Sequence, residues 1–312
     1  PGRGSRGGGI GGTMRKLLVT DIDGTLAHRD HVCDEVVQTC RRLKDDGWEI
    51  IIATGRILAS ARRLMRAVGA LPQAIVYDGA RIMTDGTGEE LWGATIPPET
   101  VENILGMIWE AAPGIQVFGD EEVYCRPGDL LARRYFSALG VPVMDDLIRP
   151  RPIPGIFRVI VHGDPEEVEG IGLRVQGAFG GAARAVFAGD GFLDILGPGI
   201  SKGAAMRMLL GSLLEKGVPA LVAAAGDHLN DLEMLEQADI AITMEDAREP
   251  LLDVADIILP PASEKGFSKI LEPLGSLSGS LEAKIGEDRS RGGSTPCSVS
   301  GGRAGGGMDN GG

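Results

Sequence analysis

The sequence predicts an α/β fold in which a doubly wound, mainly parallel sheet carries an inserted α+β cap domain. Two observations predict the sheet: short apolar runs alternate with amphipathic helical segments, and this alternation occurs near both ends of the chain. A third observation predicts the insert, because strand-like segments in the middle of the chain follow one another in adjacent pairs. The chain has 312 residues, of which 43% are hydrophobic, and it can therefore bury a large core.

The segment that follows Met14 has the pattern of a βαβαβ unit. Three apolar runs predict strands: "KLLVTD", "WEIIIATG" and "AIVYD". The two stretches between them, "CDEVVQTCRRLKDDG" and "ILASARRLMRAVGA", predict helices, and the first has an apolar stripe formed by Val36, Val37, Cys40 and Leu43. Such units have right-handed crossovers, so we expect parallel strands flanked by helices.

The same alternation returns towards the end of the chain. The predicted helices are "ISKGAAMRMLLGSLLEKG", "LNDLEMLEQA", "REPLLDVA" and "EKGFSKILEPL", and the predicted strands are "ALVAAAGD", "DIAITM" and "DIILP". We expect these segments to complete the sheet, so that residues 14–81 and 198–274 form one discontinuous core domain.

Residues 82–197 are predicted to form the cap. They begin with a hairpin around Gly86 and Gly88 and contain a second hairpin in "IQVFGDEEVYCR". Helices are predicted in "PETVENILGMIWEAA", "DLLARRYFSALG" and "PEEVEGIGLRVQGAF", and strands in "FRVIVHG" and "ARAVFAGDGFLDILG". Glycines and Pro198 at the two boundaries can act as hinges.

Both ends of the chain are rich in glycine and serine. Residues 1–13 and 275–312 cannot bury enough apolar surface to offset the entropy of ordering, so we expect both segments to be disordered. Met14 directly precedes the first predicted strand, and we expect it to be the first native residue.

The net charge and the cysteine content indicate which partners and which cellular compartment to expect. The net charge of −13 disfavours nucleic acid and anionic membranes as partners, although a metal ion and a few cations can still attract a small anionic substrate. The 4 cysteines (Cys33, Cys40, Cys125 and Cys297) form no CxxC pair, which is typical of a reducing compartment without disulfides. Since no leader and no run long enough to span a bilayer is present, we expect a cytoplasmic protein.

Polar groups cluster where predicted strands end or helices begin. They are Asp21 and Asp23 after the first strand, residues 54–56 after the second, Lys202 at a helix start, and residues 227–231 after a late strand. Each group alone is explained equally well as a turn or helix cap. Ligands bind outside the carboxyl ends of strands in doubly wound sheets, so together these groups predict one site.

The four segments that carry these groups, "DIDGTL", "ATGR", "ISKGAAM" and "GDHLND", resemble the four motifs of the haloacid dehalogenase-like (HAD) phosphatase superfamily. The resemblance covers residues 14–273, and the insert resembles the type IIB cap of the Cof-like sugar-phosphatase branch. It implies an HAD-like Rossmannoid core. One position departs from the branch, which often has Asn where this chain has Asp78. This carboxylate either alters substrate choice or faces away from the ligand.

The resemblance implies that Asp21 is the nucleophile and forms an aspartyl-phosphate. Asp23 would protonate the leaving alcohol and then take a proton from the attacking water. Mg²⁺ would be held by Asp21, by the backbone carbonyl of Asp23, and by Asp227. Asp231 would be either a direct ligand or a group that holds metal-bound water.

A carboxylate nucleophile is repelled by a phosphate dianion. At about 3.5 Å and an effective dielectric constant of about 20, each pair of like charges costs roughly 5 kcal/mol, so cations are needed. We assign phosphate binding to Thr54 and Gly55 at a helix start, to Lys202, and to Asn230, which would position neighbouring side chains. Arg56 either contacts substrate or pairs locally.

The sequence therefore predicts a Mg²⁺-dependent phosphatase for a small phosphorylated metabolite such as a sugar phosphate. Two alternatives remain open: a sugar phosphomutase or phosphotransferase with the same core, and a non-catalytic binding or regulatory module. The sequence does not identify the substrate or the oligomeric state.

Overall fold

A computed structural model of the chain describes residues 14–290 except 113, 121, 145, 190, 215–217 and 219. Its first part contains the predicted βαβαβ unit followed by a hairpin. The elements are β1 (Arg15–Thr20), α1 (Asp34–Asp45), β2 (Trp48–Ala53), α2 (Leu58–Val68), β3 (Gln73–Val76), β4 (Arg81–Thr84) and β5 (Glu90–Gly93).

The apolar stripe of α1 faces the core, as its spacing predicts. Val36, Cys40 and Leu43 are buried, whereas Val37 at the edge of the stripe is half-buried. Helix α2 ends at Gly69, which has a left-handed conformation with φ +66°. Glycine adopts this conformation without steric cost, so the chain can reverse into β3.

The middle of the chain alternates helices with strands of a second sheet. Its elements are α3 (Pro98–Ile108), β6 (Gly114–Phe118), β7 (Val123–Cys125), α4 (Leu130–Ala138), β8 (Val143–Met144), β9 (Arg158–His162), α5 (Pro165–Phe179), β10 (Arg184–Gly189) and β11 (Phe192–Leu196). The chain then returns to the first sheet with α6 (Lys202–Leu213), β12 (Ala220–Ala225), α7 (Leu232–Gln237), β13 (Ile240–Met244), α8 (Glu249–Val254), β14 (Ile257–Leu259) and α9 (Leu271–Ser290).

The strands of the described residues form two sheets, which we call the core sheet and the cap sheet. The core sheet has the order β14-β13-β12-β1-β2-β3-β4-β5. Pairing is parallel from β14 to β3 and antiparallel for β4 and β5. β1 lies at the centre, between β2 and β12, so its carboxyl end is close to the ends of strands from both halves of the chain. The predicted α/β, mainly parallel fold is confirmed.

The first of the two predicted boundaries between core and cap, which lies between residues 81 and 82, is wrong. The hairpin β4–β5, which the sequence assigned to the cap, pairs with β3 and extends the core sheet. Its turn at Tyr77–Gly79 is too tight to carry the chain to a second domain, and Ile82 is buried in the core. The separate cap sheet begins only at Gly114.

The predicted start of the C-terminal tail is also wrong. Residues 275–290 continue α9, whose Leu274 and Ser278 are buried and whose Leu277 and Leu281 pack partly against the core. This spacing is a helical stripe, which the glycine- and serine-rich composition obscured. The remaining parts of the predicted tails, residues 1–13 and 291–312, lie outside the described residues.

The cap sheet has the order β10-β11-β9-β6-β7-β8 and is antiparallel except between β7 and β8. Successive residues of β9 point to opposite faces. Val159 and Val161 join the apolar cluster that includes α3 and α5, whereas Arg158 and Ile160 lie on the opposite face and line a cavity against the core sheet.

Among the described residues, no helix combines the length and the apolar composition needed to cross a bilayer.

Candidate active site

Asp21 lies at the carboxyl end of the central strand β1. It is 5% exposed, and its backbone N–H donates to the carbonyl of Ala225 at the end of β12, 2.9 Å away. Burial raises the pKa of Asp21 well above its usual value, and the nearby carboxylates Asp231 and Asp227 add to this effect, while Lys202 opposes it. A buried carboxylate among other carboxylates needs a cation beside it.

Gly24 brings the turn after β1 against Asp227. Its φ is +84°, and a Cβ atom at this position would lie 2.1 Å from Oδ2 of Asp227. Any side chain here therefore meets two obstacles, a left-handed backbone and the carboxylate itself.

We expect Gly24→Ala to cost more stability than Gly86→Ala, by about 1–3 kcal/mol of unfolding free energy. Gly86 also has a positive φ, +96°, but a Cβ atom at Gly86 would have no neighbour within 4 Å, so this glycine serves as a control for the backbone cost alone. Urea unfolding of both variants measures the difference. Equal losses of unfolding free energy in the two variants would show that the close contact between Gly24 and Asp227 does not constrain this turn.

Lys202 is the first residue of α6 and is 1% exposed. Its Nζ donates to Oδ1 of Asp21 at 2.8 Å and to Oδ1 of Asp231 at 2.7 Å. Burial and the helix dipole both disfavour a cation here. The surrounding carboxylates outweigh the burial, and Asp21 and Asp231 raise the pKa of Lys202 well above its usual value. Lys202 is therefore held charged beside the predicted nucleophile.

Asp227 and Asp231 follow β12. Oδ2 of Asp231 accepts the backbone N–H groups of Asp227 and His228, both at 3.1 Å, and the hydroxyl of Thr25 donates to Oδ1 of Asp227 at 2.8 Å. Burial and the carboxylate of Asp231 raise the pKa of Asp227 to about 7. Both acids are thus fixed in position by neighbouring turns.

One carboxylate oxygen from each of Asp21, Asp227 and Asp231 lies within 4.8 Å of the other two. Hard carboxylate oxygens suit Mg²⁺, and the raised pKa values of Asp21 and Asp227 show that the cluster favours an added positive charge. The side chain of Asp23 is not part of this group in the described residues. The predicted contribution of Asp23 to metal binding is through its backbone carbonyl.

The side chain of Asp23 instead pairs with Arg56. Nε and Nη2 of Arg56 contact the two carboxylate oxygens of Asp23 at 2.6 and 2.5 Å, and Nη2 also contacts Asp30. The side chain of Asp23 remains 52% exposed. Arg56 therefore pairs locally, in keeping with one of its two predicted roles, and it holds Asp23 at the rim of the site.

Thr54 and Gly55 form the turn after β2. Thr54 is fully buried, and its Oγ1 accepts the backbone N–H of Arg56 at 3.1 Å. A Cβ atom on Gly55 would lie 2.7 Å from Oδ2 of Asp78. The two segments thus approach so closely that the position requires glycine or a displaced Asp78.

Asp78 lies in a turn that is strained. Tyr77 and Asp78 both have φ +52°, a conformation that non-glycine residues rarely adopt. Asp78 is 1% exposed, accepts from Nδ2 of Asn230 at 2.7 Å and lies 3.9 Å from Nζ of Lys202. The predicted phosphate-binding residue Asn230 is thus a hydrogen-bond partner of Asp78, and its role stays a prediction.

Two buried residues of the site, Arg158 in β9 and Asp194 in β11, come from the cap sheet. The sequence analysis did not predict them. Nη1 of Arg158 contacts Oδ2 of Asp78 at 3.0 Å, the carbonyl oxygen of Gly55 at 2.5 Å and Oδ1 of Asp194 at 3.5 Å. Burial raises the pKa of Asp78, but Lys202 and Arg158 outweigh it and hold that pKa below its usual value. The available signal was a charged residue inside each of the apolar runs "FRVIVHG" and "GFLDILG".

A cavity of about 660 Å³ connects these groups. The core sheet supplies its acidic end, where Asp21, Asp23, Asp78 and Lys202 line the wall. The cap sheet and α4 supply the opposite wall, lined by Gln116, Phe118, Ala132, Phe136, Arg158, Ile160, His162, Phe192 and Asp194. The structure thus gathers residues from all four motifs at one cavity, and their individual roles stay predictions.

A model of the family described as haloacid dehalogenase-like hydrolase matches residues 18–271. The chain belongs to this family. The HAD superfamily, which the four motifs predicted, is confirmed, as are its Cof-like branch and the predicted enzyme class of HAD-type phosphatase. The type IIB cap, which the insert predicted, stays a prediction.

Several proteins of similar sequence share the name HMP-PP phosphatase. A protein named HMP-PP phosphatase from Enterobacter sp. (strain 638) is 28% identical over 249 residues, which cover 77% of this chain and 87% of the relative. A protein of the same name from Cronobacter sakazakii is 28% identical over 243 residues and covers the same shares.

Solved structures show the same HAD fold. A haloacid dehalogenase-like hydrolase from Bacteroides thetaiotaomicron is 20% identical with a TM-score of 0.68, over 83% of this chain and 99% of the other. A protein described as an HAD subclass IIB sugar phosphatase is also 20% identical, with a TM-score of 0.67 over 83% and 99% of the two chains.

Proposed function

We propose that this HAD-type phosphatase hydrolyses the monoester of a small phosphorylated metabolite with Mg²⁺, through an aspartyl-phosphate on Asp21. The observation that carries the proposal is the position of Nζ of Lys202, 2.8 Å from Asp21 and 2.7 Å from Asp231, at the acidic end of the cavity. A buried ammonium beside a carboxylate nucleophile offsets the repulsion between that carboxylate and a phosphate dianion.

Asp21, Asp227 and Asp231 would hold Mg²⁺, whose positive charge would further offset the repulsion when the metal is bound. A carboxylate oxygen of Asp21 forms a bond to phosphorus while the bond from phosphorus to the leaving oxygen breaks. Asp23 donates its proton to that oxygen and releases an alcohol. Water then attacks the phosphorus of the aspartyl-phosphate, and Asp23 takes a proton of this water. The bond between phosphorus and the Asp21 oxygen breaks, which releases inorganic phosphate and restores the Asp21 carboxylate.

The position of Asp23 supports this proton transfer. It follows Asp21 by two residues, and its half-exposed carboxylate lines the cavity. Its pairing with Arg56 fixes its orientation. Catalytic contacts of this kind tighten or exchange partners when the substrate binds.

The cavity and the relatives support a substrate class. A volume of about 660 Å³ accommodates a small metabolite rather than a phosphoprotein surface. We infer a sugar phosphate as the first candidate, and the name of the curated relatives adds HMP-PP as a second compound for testing. The cytoplasmic location and the absence of nucleic-acid partners remain predictions, and the net charge of −13 supports the second of them.

A phosphate-release screen tests the proposal. The purified chain is incubated with sugar phosphates, phosphoglycolate, flavin mononucleotide, pyridoxal phosphate and HMP-PP, each with Mg²⁺ and with EDTA. We expect Mg²⁺-dependent release of inorganic phosphate from at least one compound. An isomerised sugar phosphate with little free phosphate would indicate a mutase instead, and inactivity on the whole panel would contradict the proposal.

A further inference from the structure

The two sheets are joined by a buried ion pair that ends at the catalytic lysine. Arg158, in β9 of the cap sheet, is 5% exposed and contacts Asp78, which is 1% exposed and lies beyond β3 of the core sheet. Asp78 in turn lies 3.9 Å from Nζ of Lys202 and accepts from Asn230 at 2.7 Å. A continuous chain of charged contacts therefore runs from the cap to the predicted nucleophile.

Arg158 also contacts the backbone of the motif "ATGR", which contains Gly55. Its Nη1 donates to the carbonyl oxygen of Gly55 at 2.5 Å, and its guanidinium carbon lies 4.6 Å from the ring centre of Phe118. This guanidinium thus fixes two separate turns of the core sheet, those of Gly55 and Asp78. An arginine can do so because its planar group offers several donors in a rigid arrangement.

We propose that Arg158 is a positioning residue that acts through Asp78, and this proposal rests on the phosphatase function proposed above. The positive charge of Arg158 compensates Asp78, so that Lys202 stays directed at Asp21 and Asp231. Without Arg158, Asp78 would be a buried carboxylate with Lys202 as its nearest remaining cation, and it would draw Lys202 away from Asp21. The cap would thereby organise the catalytic groups as well as enclose the substrate.

The chain offers a matched control in Arg81. This arginine of β4 is 6% exposed and contacts Glu90 of β5 at 2.6 Å. It also joins the core sheet to the cap, because it contacts Asp120, between β6 and β7, at 2.5 Å. Its guanidinium carbon lies 4.3 Å from the ring centre of Phe157. Arg81 does not line the cavity, so a variant at Arg81 weakens the attachment of the cap while Asp78 keeps its partners Arg158 and Asn230.

The test measures the steady-state kinetics of phosphate release, with Mg²⁺ and the best substrate of the screen described above. It compares four proteins: the wild type, Arg158→Gln, Arg81→Gln and the double variant Asp78→Asn/Arg158→Gln. We expect Arg158→Gln to lower kcat by about tenfold or more, since small displacements of catalytic groups have large effects. Arg81→Gln should stay within about threefold of the wild type. The kcat of the double variant should exceed that of Arg158→Gln by about threefold or more. The reason is that Asn at position 78 carries no charge to attract Lys202 and can still accept hydrogen bonds.

Three results would overturn the positioning role in an active enzyme: equal kcat for Arg158→Gln and Arg81→Gln, no recovery in the double variant, or a change confined to KM, which would indicate direct substrate contact. A wild type that releases no phosphate would instead refute the proposed function, and the positioning role with it. Circular dichroism and thermal melting verify folding. Should Arg158→Gln fail to fold, Arg158→Lys decides: kcat reduced by about threefold or more supports the proposal, and an unchanged kcat overturns it.

Discussion

Replacing Asp21 by Asn is expected to lower phosphate release by at least about 10³-fold, because the amide lacks the anionic oxygen that attacks phosphorus. The folded state should lose little stability. Burial raises the pKa of Asp21 well above its usual value, so its ionised form is unfavourable in the folded protein. The amide oxygen at this position can still accept from Lys202. Steady-state kinetics and urea unfolding measure the two effects.

Asp85→Asn is the control for this substitution. Asp85 is also a carboxylate paired with cations, since it contacts Arg62 at 2.5 Å and Arg66 at 3.1 Å, but it does not line the cavity. We expect Asp85→Asn to retain near-wild-type kcat. Equal phosphate release by the wild type and Asp21→Asn would rule out Asp21 as the nucleophile.

Replacing Lys202 by Met should remove both activity and a large part of the stability. The side chain is fully buried against Asp21, Asp231 and Asp78, and its loss leaves these carboxylates without their shared cation. Removing one partner of a buried ion pair typically costs about 3–5 kcal/mol of unfolding free energy. Denaturant unfolding at neutral pH without added metal measures this loss.

The loss caused by Lys202→Met should depend on pH. Without the lysine, the pKa of Asp21 in the folded state rises further above its unfolded value. A carboxyl group with a raised folded pKa destabilises the protein as pH rises, so the variant should lose more stability at about pH 8 than at about pH 5. Lys265→Met, which breaks an exposed pair with Glu35, should have little effect at either pH. A loss that is independent of pH would show that the carboxylates do not depend on Lys202.

The sequence predicted the core sheet well because each of its central strands is a continuous apolar run. β1, β2 and β12 pair in parallel within the segments that were assigned to the core. The prediction of the site rests on the same reasoning, because groups at the carboxyl ends of neighbouring parallel strands lie close together. The contacts of Lys202 with Asp21 and Asp231 are consistent with that reasoning.

Contacts between the two sheets could not be predicted in this way. Arg158 and Asp78 are 80 residues apart, and no local pattern specifies which residue of a cap strand faces which turn of the core. The alternation along β9 places Arg158, Ile160 and His162 on one face, but their partners depend on how the sheets are oriented. For the same reason, the sequence left open whether Asp78 faces the ligand, and the structure shows it paired with Arg158 and Asn230.

Trapping the phosphoenzyme tests the central claim most directly. The Asp23→Asn variant keeps the proposed nucleophile but lacks the group that activates water, so the phosphoryl group should accumulate on the enzyme when the leaving group of the substrate departs without a proton, as p-nitrophenolate does. The variant is mixed with Mg²⁺ and p-nitrophenyl phosphate, quenched with acid and digested, and its peptides are analysed by mass spectrometry. The account predicts a phosphoryl group on Asp21. A phosphoryl group on another residue, or steady phosphate release with no adduct at any quench time, would contradict it.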